Sequence, residues 1–333
     1  MKAALLALLL LCPAVPAAGE ASREASLSFF INSLRNVDSV DESFDADYYL
    51  MARWDEPSVL TADADWAKVW NPKVDSVNAI NPGRQWDEFR LIRPGRVSLE
   101  SRFASTYSAP MDLRKFPFDR QVLPIAIESA AHRLHELTFL FQIGETGQPI
   151  RLAADRPYEV PKKVALSDDI RLPEWTIEKV QVRERTNSYI HDSTQWSQFR
   201  IELVMSRNYG FYLWRVFAIQ ILIVVLSFLV FLHAADHFGE RMAFSLTLFL
   251  AAVAFSFVTA GLIPRISYLT LLDYFMLGSY AIIFLSVVEN AAVYVLADRG
   301  RMAAANRVDR VSLVAFPIAF AGFLGTLALM ARG

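Results

Sequence analysis

A lone carboxylate opens a long uncharged segment, and the residues that follow it at seven-residue spacing are mostly small or polar. They fall on two adjacent lines of a helix, with Glu240, Thr247, Ala254 and Gly261 on one and Ala243, Leu250 and Phe257 on the other. Such a seam corresponds to the a and d positions of a heptad. A face of small residues suits either close packing against another helix or the wall of a narrow lumen. The charge favours the lumen, because a carboxylate at the start of a membrane span usually faces water or a partner.

The seam lies in the segment 239–264, which carries no charge between residues 242 and 263. At about 1.5 Å per residue, a helix of this length crosses a hydrocarbon core of roughly 30 Å. Three further apolar runs of similar length, one before it and two after it, are separated by short polar joins, which predicts a membrane domain of four helices over residues 208–333. The expected spans are about 211–232, 241–262, 271–297 and 311–330.

Three features of the region 239–273 carry a resemblance to one family. The motif Gly-Glu-Arg-Met at 239–242 is similar to the Gly-Glu-Lys-Met that opens the pore-lining second helix in cation-selective pentameric ligand-gated ion channels, the Cys-loop receptor superfamily. Leu250 matches the family's central leucine. Residues 263–268, followed by Asp273, resemble the linker to its third helix.

The resemblance implies a homopentamer in the membrane, in which four identical subunits join this chain around a pore for monovalent cations. The seven seam residues would then be the pore and selectivity residues, with Glu240 at the cytoplasmic mouth. Leu250 and Phe257 would form the apolar constrictions, unless Phe257 turns into the gap between helices.

Residues 1–18 are predicted to be a cleaved signal peptide. They contain one lysine, a leucine-rich core and small residues suited to signal peptidase. A short first membrane helix is the alternative. Cys12, the only cysteine of the 333 residues, lies in this segment. The mature chain is therefore predicted to have no disulfide and no thiolate metal site.

Residues 19–207 are predicted to form an extracellular all-β sandwich that binds the ligand. Short apolar strands alternate with turn residues throughout this region, and the period of two is clearest at 123–127 and 199–205. One apolar face per strand indicates half-buried sheets, and many closely spaced strands favour a sandwich.

The sandwich contains a segment, 109–123, that resembles the family's signature loop around Phe116-Pro117-Phe118-Asp119. Ala109 and Leu123 stand where animal receptors have cysteines, which points to a bacterial member lacking that disulfide. The chemistry of Phe116-Pro117-Phe118, the apolar tip of this loop, predicts either a buried corner or a contact with the membrane domain. The resemblance places Arg207 beside Asp119 and Asp38. The residues expected to couple the sandwich to the pore are Asp38, Phe116, Pro117, Phe118, Asp119, Arg207 and Pro264.

The resemblance also implies an agonist site in the cleft between neighbouring sandwiches, where aromatic side chains surround a cation. Tyr189 and Trp196 fall in the loop that caps this cleft, Tyr49 matches the aromatic of the facing subunit, and Glu128 aligns with a carboxylate of amine-gated relatives. Ala130 occupies a position that is usually aromatic. The small agonist has an amine as one candidate, and packing in the sandwich core is the alternative role for these aromatics.

Other functions find little support in the sequence. The net charge of -2 leaves no basic patch for a nucleic acid. Motifs of hydrolases, phosphate-binding loops and zinc proteases are absent, so we expect neither an enzyme nor a cofactor. His132 and His135 are three residues apart without neighbouring ligands, which favours a solvated turn over a metal site.

Arginines concentrate in the join predicted at 298–310, at positions 299, 301, 307 and 310. By the positive-inside rule this join is cytoplasmic, which places the sandwich and the C-terminus outside. The predicted protein is a ligand-gated, cation-selective channel of a bacterial inner membrane. Two alternatives are a periplasmic sensor that does not conduct and an accessory subunit of a hetero-oligomeric channel.

Overall fold

The structure is a computed structural model that describes residues 22–81, 83–144, 146–153, 156–189, 192–234, 237–261 and 265–332. The predicted signal peptide with Cys12, and the predicted coupling residue Pro264, lie outside the described residues.

Within the described residues, strands form two five-stranded sheets. The first sheet contains β1 (Arg23–Asp38), β2 (Ser43–Asp55), β4 (Arg84–Arg93), β5 (Arg96–Ser108) and β7 (Leu137–Phe141). The second contains β3 (Val74–Ser76), β6 (Arg120–Ser129), β8 (Tyr158–Val160), β9 (Trp175–Tyr189) and β10 (Asp192–Arg207). Their orders are β4-β5-β2-β1-β7 and β3-β6-β10-β9-β8. The predicted β-sandwich is confirmed.

Alternation along the strands builds the core between the sheets. Ile125 of β6 lies opposite Ile201 of β10 in an antiparallel register, and both side chains are fully buried. Phe141 of the first sheet stacks on Phe199 of the second, with ring centroids 6.1 Å apart. Period-two patterning therefore predicted which residues face the core, because successive side chains of a strand point to opposite faces.

Four helices follow that are long and apolar enough to cross a membrane, as predicted. They are Gly210–Leu232, Phe238–Thr259, Leu271–Asp298 and Met302–Arg332, named here the first to fourth spans. The first span has no proline, and it contains one π-helical turn at Leu213–Phe217.

Two predicted boundaries differ from the structure. The second span begins at Phe238 rather than near residue 241, so Glu240 lies in its first turn. The fourth span begins at Met302 rather than near residue 311, because its alanine-rich start favours helix and Ala305 packs against Val293 of the third span. The predicted join at 298–310 is consequently only the short segment 299–301.

Candidate functional site

The second span has two distinct faces. Its buried side chains are Arg241, Ser245, Ala252 and Thr259, which face the other helices of the chain. The seam residues are all exposed: Glu240, Ala243, Thr247, Leu250, Ala254, Phe257 and Gly261. Among the described residues, the face carrying the seam is thus left without a partner inside the subunit.

The two large apolar residues of the seam are largely exposed. Leu250 is 68% exposed and Phe257 is 78% exposed, so Phe257 does not pack between helices of its own subunit. Between them, Ala254 adds only a methyl group. One turn before Leu250, the Thr247 hydroxyl donates to the Ala243 carbonyl at 2.7 Å, the common way for threonine to satisfy its proton in a helix.

Glu240 is exposed in the first turn of the span and forms no ion pair with another described residue. A carboxylate at this position is stabilised by the positive end of the helix dipole, typically by 0.3–1 kcal/mol. Its neighbour Arg241 is buried instead. The two charges therefore lie on different faces of the helix, one exposed and one buried.

At the boundary between sandwich and membrane domain, Arg207 and Asp119 form a buried ion pair. Arg207 Nε and Nη2 donate to the two carboxylate oxygens of Asp119 at 2.8 and 3.1 Å. Nη2 also donates to Ser39 Oγ at 2.8 Å. The guanidinium lies 4.1 Å from the ring centroid of Trp175 and 4.8 Å from that of Phe116. The ion pair is therefore held by hydrogen bonds and is also packed against two aromatic rings.

Asp38 was also predicted to lie beside Arg207, and the structure does not place it there. Asp38 is exposed, and its carboxylate accepts the backbone N–H groups of Val40 and Asp41 at 2.6 and 3.2 Å. Asp38 thus caps its own turn, and among the described residues no hydrogen bond or ion pair joins it to Arg207. Ser39, the next residue, takes the position expected for Asp38.

The segment 109–123 docks onto the start of the third span through its backbone. The carbonyls of Arg114 and Phe116 accept the N–H groups of Leu271 and Leu272 at 2.9 and 3.2 Å. The first N–H groups of a helix have no partner within it, so the loop satisfies donors that would otherwise stay unpaired. The loop backbone thereby becomes a cap of the third span.

A second cap fixes the same helix end from the other side. Thr270 and Asp273 form a capping box, in which Asp273 Oδ2 accepts the Thr270 N–H at 2.8 Å. Just before it, Tyr268 Oη accepts the Leu113 N–H at 3.1 Å. The resemblance drew attention to Asp273, and the structure gives it this physical role.

The aromatic tip of the loop contacts the first span. Phe116 is buried edge-on against Tyr212, with centroids 4.8 Å apart. Phe118 lies 5.1 Å from Tyr209 and 6.0 Å from Phe217. Pro117, between the two phenylalanines, is also buried. The two interpretations of the tip therefore both hold: it is a buried corner, and it is buried against the membrane domain.

On the outer face of the second sheet, Glu128 accepts three hydrogen bonds. They come from Gln198 Nε2 at 2.6 Å, Tyr189 Oη at 2.8 Å and Asn187 Nδ2 at 2.9 Å. Glu128 is only 3% exposed, while Tyr189 remains 46% exposed. Burial and the bond to Glu128 raise the pKa of the Tyr189 hydroxyl. The carboxylate is thus already satisfied within the subunit.

Trp196 shares this face, because it lies directly opposite Asn187 in the β9–β10 hairpin, two residues before Gln198. Its side chain is half-buried. The structure therefore brings three of the four predicted agonist residues, Glu128, Tyr189 and Trp196, onto one patch.

Tyr49 lies on the other sheet, away from that patch. It pairs across β2 and β5 with Arg102, whose guanidinium is 5.6 Å from the Tyr49 ring centroid. Arg102 also binds both carboxylate oxygens of Asp47, at 2.7 and 3.0 Å, and holds the pKa of that carboxyl below its ordinary value. Tyr49 cannot meet Trp196 within one subunit.

Comparison with protein families decides what kind of molecule this is. Residues 14–209 match the family model described as neurotransmitter-gated ion-channel ligand binding domain, and residues 220–304 match the neurotransmitter-gated ion-channel transmembrane region. The chain belongs to the neurotransmitter-gated ion-channel family. The resemblance to pentameric ligand-gated channels is confirmed. Members of this family are ligand-gated ion channels and not enzymes, they form pentamers, and their extracellular domain binds a small agonist.

The glycine receptor subunit beta of Rattus norvegicus, Mus musculus and Homo sapiens is similar to this neurotransmitter-gated channel chain. Each is 25% identical over 309 residues, an alignment that covers 85% of the chain. The chain spans 59% of the length of these relatives.

Sequence reasoning missed several contacts of this channel subunit. Ser39 and Trp175 at the buried ion pair carry no local pattern that marks them. Tyr268 lies in the linker motif 263–268, but nothing in that motif indicates its bond to the docking loop. Arg241 is different in part, because Glu289 lies within the predicted third span and charges within membrane spans pair with one another. Asp309 gave no such signal, since it fell in the predicted join at 298–310 and belongs to the fourth span only in the structure.

Proposed function

We propose that the chain is the subunit of a homopentameric, cation-selective channel that opens when a small agonist binds between sandwiches. One observation carries the proposal: the seven seam residues are all exposed on one face of the second span, while the opposite face is buried in the subunit. In a ring of five subunits such a face is either the wall of a lumen or an inter-subunit contact. The exposed Glu240 supports the lumen.

Charge selection would come from Glu240. Five copies at one mouth of the pore form a ring of carboxylates, which favours cations through its field and by partly replacing their hydration. The competing role is local, since a carboxylate in the first helical turn also stabilises the helix. The two roles differ in what they do to permeating ions.

Reversal potentials measured across liposomes containing the purified protein test this role. In a salt gradient the wild-type channel should reverse near the cation equilibrium potential, and Glu240→Gln should shift that potential toward the anion value. Asp298→Asn is a matched control, because Asp298 is exposed at the same membrane side but lies on the third span. An unchanged potential in Glu240→Gln would refute the carboxylate ring. A protein that never conducts, with any agonist tested, would instead support the non-conducting sensor or the accessory subunit.

The agonist would bind where the Tyr189 and Trp196 patch of one subunit faces the Tyr49 side of the next. A cation can be attracted by aromatic faces without a direct ion pair, which suits a patch whose carboxylate is already bonded. In this proposal Glu128 acts from behind Tyr189, supplying negative charge near the rings and holding the hairpin in place. A small amine fits this chemistry.

Currents evoked by a panel of small amines test the agonist site. With an active amine, Trp196→Ala should weaken apparent affinity by about 1–2 kcal/mol, or roughly five- to thirtyfold, without changing single-channel conductance. Trp214→Ala is the control, since Trp214 is 74% exposed on the first span. If amines evoke no current and low pH does, the amine proposal is wrong.

We further propose a bacterial inner membrane, with the sandwich and the C-terminus on the periplasmic side. Four exposed arginines near one membrane face support this orientation: Arg299, Arg301, Arg307 and Arg310. Cysteines introduced singly at Asp65 and Ala303 should react differently in intact cells. A membrane-impermeant maleimide should label Asp65→Cys and spare Ala303→Cys, and the reverse result would invert the topology.

A further inference from the structure

Two residues of opposite charge begin the second span side by side, and only one of them is exposed. Glu240 lies on the seam, whereas Arg241 is 1% exposed. Consecutive residues of a helix are separated by about 100° around its axis. A different rotamer of the long Arg241 side chain would therefore bring the guanidinium round toward the seam, beside the carboxylate.

Asp309 of the fourth span holds the guanidinium in place. Arg241 Nη2 and Nη1 donate to Asp309 Oδ1 and Oδ2 at 2.6 and 2.9 Å, a two-pronged geometry that fixes orientation as well as distance. Asp309 itself is 6% exposed. The pair ties the start of the second span to a helix that contributes nothing to the seam.

The remaining donors of Arg241 are also occupied. Asn290 Oδ1 accepts from Nη2 at 2.8 Å and from Nε at 3.1 Å, and the His233 carbonyl accepts from Nη1 at 3.1 Å. Asn290 in turn donates to Ser245 Oγ at 2.6 Å, which gives the second span another tie on the same face. The guanidinium thus has a partner for each of its N–H groups, and any turn toward the seam would break them.

Glu289 is a weaker partner of the same guanidinium. Its Oε2 lies 3.5 Å from Arg241 Nη2, farther than either Asp309 oxygen, and it makes one contact rather than two. Through this single long contact it cannot fix the orientation of the guanidinium as Asp309 does.

We infer that Asp309 is a positioning residue for ion selection: it keeps Arg241 turned away from the pore, so that Glu240 alone sets the charge of the mouth. The inference rests on the proposed cation channel. Five guanidinium groups at the mouth would oppose five carboxylates, and cations would lose the favourable field. The fourth span, which lies outside the pore, thereby helps to determine which ions pass.

Single-channel recording of the full chain in bilayers tests the inference, because conductance and reversal potential are properties of each assembled channel and not of the amount that folds. Asp309→Asn should lower cation conductance at least about twofold and shift the reversal potential toward the anion value. Asp309→Glu, which keeps the charge and the two oxygens, should restore most of both. Glu289→Gln should have a smaller effect, and the exposed Asp298→Asn should have none.

Arg241→Lys provides a second route if Asp309→Asn fails to assemble. Lysine keeps the charge but lacks the planar two-pronged donor, so the same fall in conductance is expected. Wild-type conductance and reversal potential in Asp309→Asn, or in Arg241→Lys if that is the variant that assembles, would overturn the inference. If Glu240→Gln also leaves both quantities unchanged, the acidic ring of the proposed function has failed; if it alters them, only the role of Asp309 is refuted.

Discussion

The Arg207 guanidinium and the Asp119 carboxylate meet through two hydrogen bonds, and only 3% and 1% of their side chains remain exposed. Arg207 ends the last strand of the sandwich, and Asp119 follows the apolar tip that contacts the first span. The pair therefore joins the chain that enters the membrane to the loop that caps the third span.

Removing one member of this pair should be costly. Asp119→Asn leaves a buried guanidinium without its counter-charge, which lowers the free energy of unfolding by roughly 3–5 kcal/mol. Thermal unfolding of the detergent-solubilised protein measures the effect. The control is Asp55→Asn, because Asp55 pairs with Arg96 but is 72% exposed, and such a pair contributes about 0–1 kcal/mol. Equal losses in the two variants would contradict the importance of burial.

The hydroxyl of Tyr268, in the linker before the third span, should contribute to the coupling between the sandwich and the pore. Tyr268→Phe keeps the ring, over which the Arg114 guanidinium lies at 5.0 Å, but removes the oxygen that accepts the Leu113 N–H. An N–H left unpaired in a partly buried site costs about 1–3 kcal/mol. Because this contact holds the docking loop to the membrane domain, the agonist concentration for half-maximal current should rise, by up to about tenfold.

Concentration–response curves compare that variant with Tyr274→Phe. Tyr274 is 44% exposed in the third span, and its hydroxyl has no hydrogen-bond partner among the described residues. This control should leave the curve in place. A wild-type curve for Tyr268→Phe would mean that the hydroxyl does not contribute to coupling.

The fold was largely predictable, since it depends on periodic patterns: period two marked the sandwich core, and apolar length marked the four spans. Boundaries were less so, because the fourth span is extended at its start by packing of Ala305 on Val293. The position of Asp38 was not predictable, because it depends on the local turn. The Asp38 side chain accepts hydrogen bonds from the backbone of its own loop, and Ser39 contacts Arg207 instead.

The patch formed by Glu128, Tyr189 and Trp196 shows a different limit of prediction from sequence. The resemblance assigned Glu128, Tyr189 and Trp196 to one site, but it did not reveal that Glu128 would be bonded by Gln198 and Asn187. Those partners lie 70 and 59 residues away along the chain. Hydrogen-bond saturation of a buried carboxylate follows from tertiary contacts, which one sequence does not display.

Acid should weaken the contact between Asp47 and Arg102. The arginine lowers the pKa of Asp47 from its ordinary value of 3.8, so the ionised form is favoured in the folded state. A carboxyl with a depressed folded pKa stabilises the fold above its unfolded pKa, and this stabilisation is lost as pH falls through the folded pKa. Arg102→Gln should therefore lower Tm at pH 7, and the difference from wild type should shrink below about pH 3.8.

The measurement is a pair of Tm profiles against pH for wild type and Arg102→Gln. Lys68→Gln is the control, because Lys68 and its partner Asp65 are both largely exposed, and an exposed pair contributes little at any pH. A difference for Arg102→Gln that stays constant down to pH 2.5 would mean that Arg102 acts through packing on Tyr49 rather than through the charge of Asp47.

Leu250 and Phe257 are the candidates for the gate of the channel. Both are largely exposed on the seam and lie one heptad apart, so five-fold symmetry would turn each into an apolar ring. A narrow apolar ring expels water, and an ion that crosses it loses hydration without replacement. Ala254 is too small to close a lumen, and Thr247 carries a hydroxyl that keeps its level wet.

Substitutions at the two rings separate their roles. A gate residue made small or polar should let the channel open without agonist, and a shift of about 1.4 kcal/mol in the closed–open equilibrium raises resting open probability roughly tenfold. Leu250→Ser and Phe257→Ala should both do so, with Phe257 the tighter ring because phenyl is larger. Val258→Ala is the control, since Val258 is 69% exposed beside Phe257 but off the seam.

If Phe257→Ala leaves resting current and agonist sensitivity as in wild type while Leu250→Ser raises both, the gate is Leu250 alone. Phe257 then packs between neighbouring subunits, where its exposed ring would find the partner that its own subunit does not provide.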